Sequence, residues 1–554
     1  MPEPSAHPGG GGHKVRRSAM VTSAAEAVAV IPDRAVVAVS GFNMAATPEY
    51  LLLEAHRRYV QTGHPRDLFL IADALPAIPG RGLDTISEAL YKEEGQRFLR
   101  GASVPFLGFS PWLQKLVIEN MIEAYSWPMG VAAYWFREVS SGRPGVISKI
   151  GIDTSIDPKK DGGKLNGLAE ERRTCTVKRI DIDGEEYLIY EAPKPTVALI
   201  RGTTADSRGS ISMEDEAMRG TVLNIAQATK AHPDPGVVIA QVKRVLSEES
   251  NPRVVEVPGP FVDYVVVSPN AYHWQTGSLL YDPAFGSKSK GIPDIHQQPA
   301  GADERVIARR VLAELSEEAR VKGSPIVVNL GIGIPALVSR FALEEGISDF
   351  IVTVLESGQW GGMALQGVDF GVAVGPFALS TMPDMFSNFE GGTIDAASLG
   401  FLQVGANGDV NPSMLPGRLY GPGGFPVIAG GSPRIYFTGA FTAGKAKVEV
   451  EGGKLRIIQD GAVTKFVKKV YKNFFSGSQA LRYGKRVLYV TERAVFGLTQ
   501  DGLELKEVAP GVDLDRDIMG RMDFKPAVSK EVKEMDRRLF LPGNMGLAKA
   551  LESS

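Results

Sequence analysis

Short apolar, β-branched runs recur along the chain, separated by stretches with apolar residues at helical spacing. Strands of a parallel sheet read this way, because helices cover both faces and leave no polar side. Residues 35–40 form the first run and enter a loop at Gly41. Residues 49–59 follow as a helix, with Thr47 placed as N-cap and Pro48 as its first residue. Strands are predicted at 66–72, 196–200 and 237–242, and helices at 113–125 and 215–231. The alternating segment 179–190 predicts a hairpin turning at Asp183-Gly184. Ile307, Val311, Leu315 and Ala319 form one stripe of a helix over 303–321.

The second half then opens as the first does. Residues 325–330 predict a strand, 331–335 a glycine loop and 336–345 a helix. The next run, 350–355, ends on a carboxylate, Glu356, with Ser357-Gly358 behind it. Two hairpins follow, over 448–458 and 486–498. The pattern predicts an α/β protein with two related open-sheet domains, mostly parallel, with helices on both faces. Its 554 residues are too many for one core, since cores stop growing near ~250–300 residues. The expected division is a disordered tail at 1–18, an N-terminal domain at 19–275, a connector at 276–302, a C-terminal domain at 303–540 and a tail at 541–554.

Composition narrows the chemistry. A net charge of −3 gives no reason to expect nucleic acid or an anionic membrane. No run approaches the ~18 apolar residues of a membrane span, and the basic, Gly-rich start is not a secretory signal, so the chain reads as cytoplasmic. One cysteine, Cys175, excludes an intrachain disulfide, and seven scattered histidines show no metal-ligand spacing. The sequence has no GxSxG elbow, no Walker loop and no Ser-His-Asp arrangement. A carboxylate nucleophile, ionised near neutrality, needs none of these; it needs an oxyanion site of backbone N–H groups. Open α/β sheets collect chemistry at the carboxyl ends of their strands, and Glu356 stands at such an end. The bland alternative is a carboxylate that caps a turn. The loop Gly331-Ile-Gly333-Ile-Pro335 offers amides at a helix start, and a structural tight turn is the equal alternative there.

An ordered set of motifs then identifies a resemblance. It comprises Ser40-Gly41-Phe42 with Pro48, Asp157-Pro158 with the segment Gly162 to Asn166, Arg201-Gly-Thr-Thr-Ala-Asp206, Arg309-Arg310 and Asn329 to Pro335. Further along come Glu356-Ser-Gly with Gly361-Gly362, Gly391-Gly392 with Asp395, Asn407-Gly408 with Asn411, Gly423-Gly424-Phe425, Tyr489 to Phe496 and Ala509 to Asp513. From about residue 36 to 526 the chain resembles the family I coenzyme A transferases, in the single-chain acetate and propionate form. The resemblance implies an acyl-CoA:carboxylate CoA-transferase of short-chain fatty-acid or ketone-body metabolism. The implied mechanism is ping-pong, with Glu356 as nucleophile and a glutamyl-CoA thioester as intermediate, and needs neither metal nor ATP. CoA enters as a substrate rather than a permanently bound cofactor. Gly331, Gly333, Pro335, Gly423, Gly424 and Phe425 are expected along it, with Gly424 chosen as an oxyanion amide. Gly41, Phe42, Met129 and Trp360 are expected around the acyl group. A homo-oligomer, a dimer or tetramer, is implied as well.

The sequence departs from the family at Met129, where a glutamine is usual, at Trp360, at Phe389 to Thr393 and at Gly405. A thioether in place of an amide makes the acid pocket less polar. Drift is the plain reading of these changes; a pocket reshaped for a bulkier or more apolar acid is the sharper one. Two rivals use the same fold: an acyl-CoA hydrolase or lyase, and a non-catalytic CoA-binding subunit. Arg201 and Asp206 read as a structural ion pair or as turn caps, and Glu492 and Arg493, at a strand end, read as structural.

Overall fold

The computed structural model describes residues 19–286 and 299–552. The tail expected at 1–18 and part of the expected connector lie outside the described residues. Two large sheets organise the chain. The first is built from β1 (Met20–Val21), β2 (Val36–Val39), β3 (Leu68–Ala72), β4 (Leu99–Ser103), β5 (Glu123–Tyr125), β6 (Val197–Arg201), β7 (Val237–Val242) and β8 (Tyr264–Val267). Its order is β1-β8-β7-β6-β2-β3-β4-β5, and every pairing is parallel.

The second contains β9 (Ile326–Leu330), β10 (Ile351–Val354), β11 (Gln359–Trp360), β12 (Ala378–Leu379), β13 (Ala396–Gly400), β14 (Arg434–Thr438), β15 (Arg486–Val490), β16 (Ala494–Thr499), β17 (Gly502–Val508) and β18 (Ala527–Glu534). Its order is β12-β11-β10-β9-β13-β14-β15-β16-β17-β18. The run β10-β9-β13-β14-β15 is parallel, and antiparallel hairpins extend it on both sides. The segment β3-β2-β6-β7-β8 of the first sheet matches β10-β9-β13-β14-β15 of the second in order, direction and chain sequence. The two halves therefore repeat one topology.

Alternation along the strands explains the layering. In β2, Val36 and Ala38 face one core while Val37 and Val39 face another. In β14, Ile435 and Phe437 join the same first core, and Tyr436 joins a third. One hydrophobic core thus lies between the sheets, and one lies outside each. Helices α1 (Glu49–Thr62), α2 (Met129–Ser140), α3 (Ala302–Lys322), α4 (Leu337–Glu344), α5 (Met382–Glu390) and α6 (Phe425–Gly431) cover the faces. Among them, α2, α5 and α6 feed the shared core through Met129, Phe386 and Val427.

Three local expectations are corrected. Residues 113–125 are not one helix: the helix is Pro111–Ile118, and the chain then re-enters the sheet as β5. The helix expected over 215–231 is confined to Val222–Lys230, because the preceding residues turn to meet the second half. Pro48, not Thr47, is the N-cap residue of α1, and it lacks a side-chain cap bond; the Thr47 hydroxyl instead donates to Asn43 O at 2.7 Å and closes the Gly41 loop. The hairpin through Asp183-Gly184 forms, with both residues at positive φ. Near the C-terminus, Leu547 and Leu551 are buried in the outer core beside α3. No described helix is long and apolar enough to cross a membrane.

Candidate active site

Glu356 lies in a tight turn at the carboxyl end of β10. Leu355 N–H donates to Gln359 O at 3.0 Å and Gly358 N–H to Leu355 O at 2.9 Å, so Glu356 and Ser357 occupy the corner. Gly358 takes φ +111°, and a Cβ there would run into the backbone of Ser380, so the turn requires glycine. Ser357 Oγ donates to Gly371 O at 2.5 Å and pins the turn from behind. The carboxyl group of Glu356 is left free: among the described residues it has no cationic or hydrogen-bonding partner, and its residue is 8% exposed. Burial alone pushes its pKa up to about 7. The expectation of a carboxylate fully ionised at neutrality is therefore corrected; the side chain is poised between its two forms.

Gly424 closes over this carboxyl. A Cβ on Gly424 would collide with Oε2 of Glu356 and stand 2.8 Å from its carboxyl carbon. Gly424 is the N-cap of α6, and among the described residues its N–H has no protein acceptor. Gly423, one residue earlier, is held by the other half: its N–H donates to Pro105 O at 2.9 Å, and its carbonyl accepts from Met129 N–H at 2.8 Å. Met129, the first residue of α2, is buried. The Phe425 ring stacks on Phe437 with centroids 5.7 Å apart, turned into the core, so its backbone is what it offers the turn.

The Gly331 loop ends β9, which pairs in parallel with β10, so loop and Glu356 share one sheet edge. Gly331 N–H donates to Ser398 O at 2.9 Å. Gly333 takes φ +82° with open space on its Cβ side, Ile332 is exposed, and Pro335 is buried at the start of the following turn. Trp360 lies in β11 and donates its Nε1–H to Ser380 Oγ at 2.9 Å.

The first half meets the Glu356 turn through its own glycine loop. Gly41 takes φ +118°, and a Cβ there would strike Thr47, so the loop requires glycine at this position. Phe42 reaches across instead. Its ring lies 6.2 Å from that of Phe370 and fills the space a side chain at Gly371 would need. Asn43 Nδ2 donates to Phe370 O at 3.0 Å. Arg201 is fully buried and paired with Glu216, at 3.1 Å from Nε, and donates to the carbonyls of Met44 and Thr47. Its partner is Glu216 rather than Asp206; Asp206 accepts backbone N–H groups of Arg208, Ser210 and Ser250 instead. Glu492 and Arg493 are both buried and paired. The Cys175 thiol is buried and held well above its usual range.

The sequence reading missed Ser357, Gln359 and Asp73. Gln359 Nε2 crosses to Ala217 O at 2.6 Å, locking the hairpin to the first half. Asp73 follows an apolar run just as Glu356 does, and that repeated pattern was its available signal.

Comparisons with known proteins converge on one family. Residues 21–268 match the family model described as Coenzyme A transferase. The chain is 38% identical over 530 residues to acetate CoA-transferase YdiF of Escherichia coli K12, covering 95% of this chain and 96% of that protein. It is equally 38% identical over 528 residues to caffeate CoA-transferase of Acetobacterium woodii, covering 94% and 97%. The crystal structure of the acyl-CoA transferase YdiF from E. coli O157:H7, as a thioester complex with CoA, matches with a TM-score of 0.85 at 36% identity, covering 97% of this chain and 98% of that one.

Proposed function

The chain belongs to the coenzyme A transferase family, and from that premise we propose that Glu356 is the nucleophile through which it exchanges CoA between an acyl-CoA and a carboxylic acid. The reaction is that of an acyl-CoA:carboxylate CoA-transferase, ping-pong through a thioester. The observation that supports Glu356 is its free, buried carboxyl at a parallel-strand end, pressed against Gly424.

The ionised Glu356 attacks the acyl-CoA carbonyl. The carbon–sulfur bond breaks, CoA leaves as thiolate, and an acyl-glutamyl anhydride forms. The thiolate then attacks Cδ of Glu356, releasing the donor carboxylate and leaving glutamyl-CoA. An acceptor carboxylate runs the same two steps in reverse and restores Glu356. No proton is gained or lost overall. Lack of hydrogen bonds to the carboxylate raises its energy in the ground state, and the Gly424 N–H is available to a developing oxyanion. CoA runs past the Gly331–Pro335 loop and the Gly423–Phe425 turn, while Phe42, Met129 and Trp360 bound the acyl group.

The proposal extends to organisation: domains at 19–275 and 303–540, a homo-oligomer in the cytoplasm, and CoA as substrate without a resident cofactor. Incubation with acyl-CoA in the absence of acceptor, followed by borohydride, tests the central step. Mass spectrometry should locate a reduced residue at Glu356. Free CoA released into water with no adduct would replace this reading by hydrolysis.

A further inference from the structure

Asp73 follows β3 directly in the first half, and Glu356 follows β10 one residue further on in the second; β3 matches β10 in the repeated topology. Asp73 is 2% exposed. The buried carboxylates that hold this fold are closed by donors. Glu216 is paired with Arg201, Asp157 with Arg179, and Glu49 with Arg81 and the Gly82 N–H. Asp73 is different. Among the described residues it forms no ion pair, and its Oδ2 has no hydrogen-bond partner. The Thr221 hydroxyl and the backbone N–H groups of Asp73 and Ala74 lie close enough to favour its anion, yet neither Oδ2 of Asp73 nor Oγ1 of Thr221 makes a well-formed hydrogen bond. Burial pushes the Asp73 carboxyl up to about 6. Unclosed polar atoms of this kind cost stability where they serve only the fold.

Three routes tie the segments around Asp73 to the Glu356 turn. In the first, the Asn43 N–H donates to Leu75 O at 2.7 Å, and Asn43 Nδ2 donates to Phe370 O, next to the Gly371 that anchors Ser357. In the second, β4 neighbours β3 and leads to Pro105, which holds Gly423 beside Gly424. In the third, the segment before Thr221 supplies Gly220 O to Met382 N–H and Ala217 O to Gln359. Gln359 Oε1 is likewise buried without a partner.

We infer that Asp73, with Thr221, is a specificity-determining residue that accepts a hydrogen bond from a donor, such as a hydroxyl, on the chain of the acid being activated. The inference rests on the CoA-transferase reading of Glu356 and names its substrate class: monocarboxylic acids bearing a hydroxyl distal to the reacting carboxyl. A site built to bond a hydroxyl rejects the analogue lacking it, because its own acceptor is then left buried and unpaired. An anionic Asp73 also disfavours acids with a second carboxylate.

The test uses the full chain, acetyl-CoA as donor, and a series of straight-chain acids paired with their ω-hydroxy counterparts. Wild type should favour at least one hydroxy acid over its parent by about tenfold or more in kcat/KM. Asp73→Asn and Thr221→Val should each reduce that ratio severalfold, while both still form the borohydride-trapped adduct at Glu356 with acetyl-CoA. No hydroxy preference in wild type, or an unchanged ratio in whichever of the two variants folds by circular dichroism, overturns the inference. Absence of the Glu356 adduct from wild type would instead refute the transferase reading beneath it.

Discussion

Gly424 turns its bare α-carbon toward the carboxyl of Glu356, so closely that a Cβ would collide with Oε2 and stand 2.8 Å from Cδ. Both backbones are held, so the unpartnered Glu356 side chain is what yields. Gly423 is bonded to Pro105 and Met129, and the Glu356 turn is pinned by Ser357 and by the backbone approach at Gly358. A methyl group at 424 must therefore move the Glu356 carboxyl, the proposed nucleophile. Gly424→Ala should lower kcat by about 10²-fold or more while far-ultraviolet circular dichroism stays unchanged. Near-normal turnover would show that the turn adapts and that the close approach has no catalytic consequence.

Glu356 titrates at about 7 because its burial favours the neutral acid. The proposed nucleophile is the anion, so kcat/KM should rise with pH through about 7 and level off above it. Glu356→Gln should remove both activity and this titration. A pH profile flat from about 5.5 to 8.5 would contradict the assignment.

The same shift carries a stability consequence of opposite sense. A carboxyl whose folded pKa is raised holds its proton in the folded state after the unfolded chain has lost it. Stability is thus unaffected below pH 4.5, falls as pH rises toward 7, and is lower by on the order of 3 kcal/mol above that. Urea unfolding should find Glu356→Gln more stable than wild type at about pH 8 and equal to it near the unfolded carboxyl pKa.

Arg201 and Glu216 form a fully buried pair whose guanidinium also holds the carbonyls of Met44 and Thr47. Arg201→Met strands the Glu216 charge and frees the loop that carries Phe42, so a loss of about 3–5 kcal/mol in unfolding free energy is expected. Lysine at 201 should recover little of it, because one ammonium cannot reproduce the fork. A small effect from either change would mean that Glu216 finds another partner.

Met129 begins α2, buried, with its N–H on Gly423. Met129→Gln should raise kcat/KM for acids with a second polar group relative to plain alkyl acids, by several-fold. Unchanged relative rates across such a panel would place its side chain outside the acyl pocket.

Much of the fold was legible because periodicity is a local property. The runs at β2, β7, β9 and β10, the stripe on α3, and the repeated strand–glycine loop opening all follow from which residues must avoid water on which side. Local signals failed where long-range contact overruled them. Residues 119–125 read as helix, yet the chain turns back to supply β5, and Thr47 bonds the Gly41 loop rather than capping α1. Glu356 stood out by its place after a strand and by the motifs around it. Asp73 follows the matching strand of the first half, but its local signal could not say whether a distant donor closes it.

The sequence by itself determined the α/β class and the internal repetition and singled out the residue proposed to carry the chemistry, because hydrophobic period and turn chemistry act over a few neighbouring positions. Only the tertiary structure decided that Glu356 is left without a partner among the described residues, that Gly424 approaches it with no Cβ between them, and that Asp73 is buried with no ion pair. A carboxyl's protonation and reach depend on which groups several hundred residues away exclude water from it, and that is fixed only when the two sheets close on their shared core.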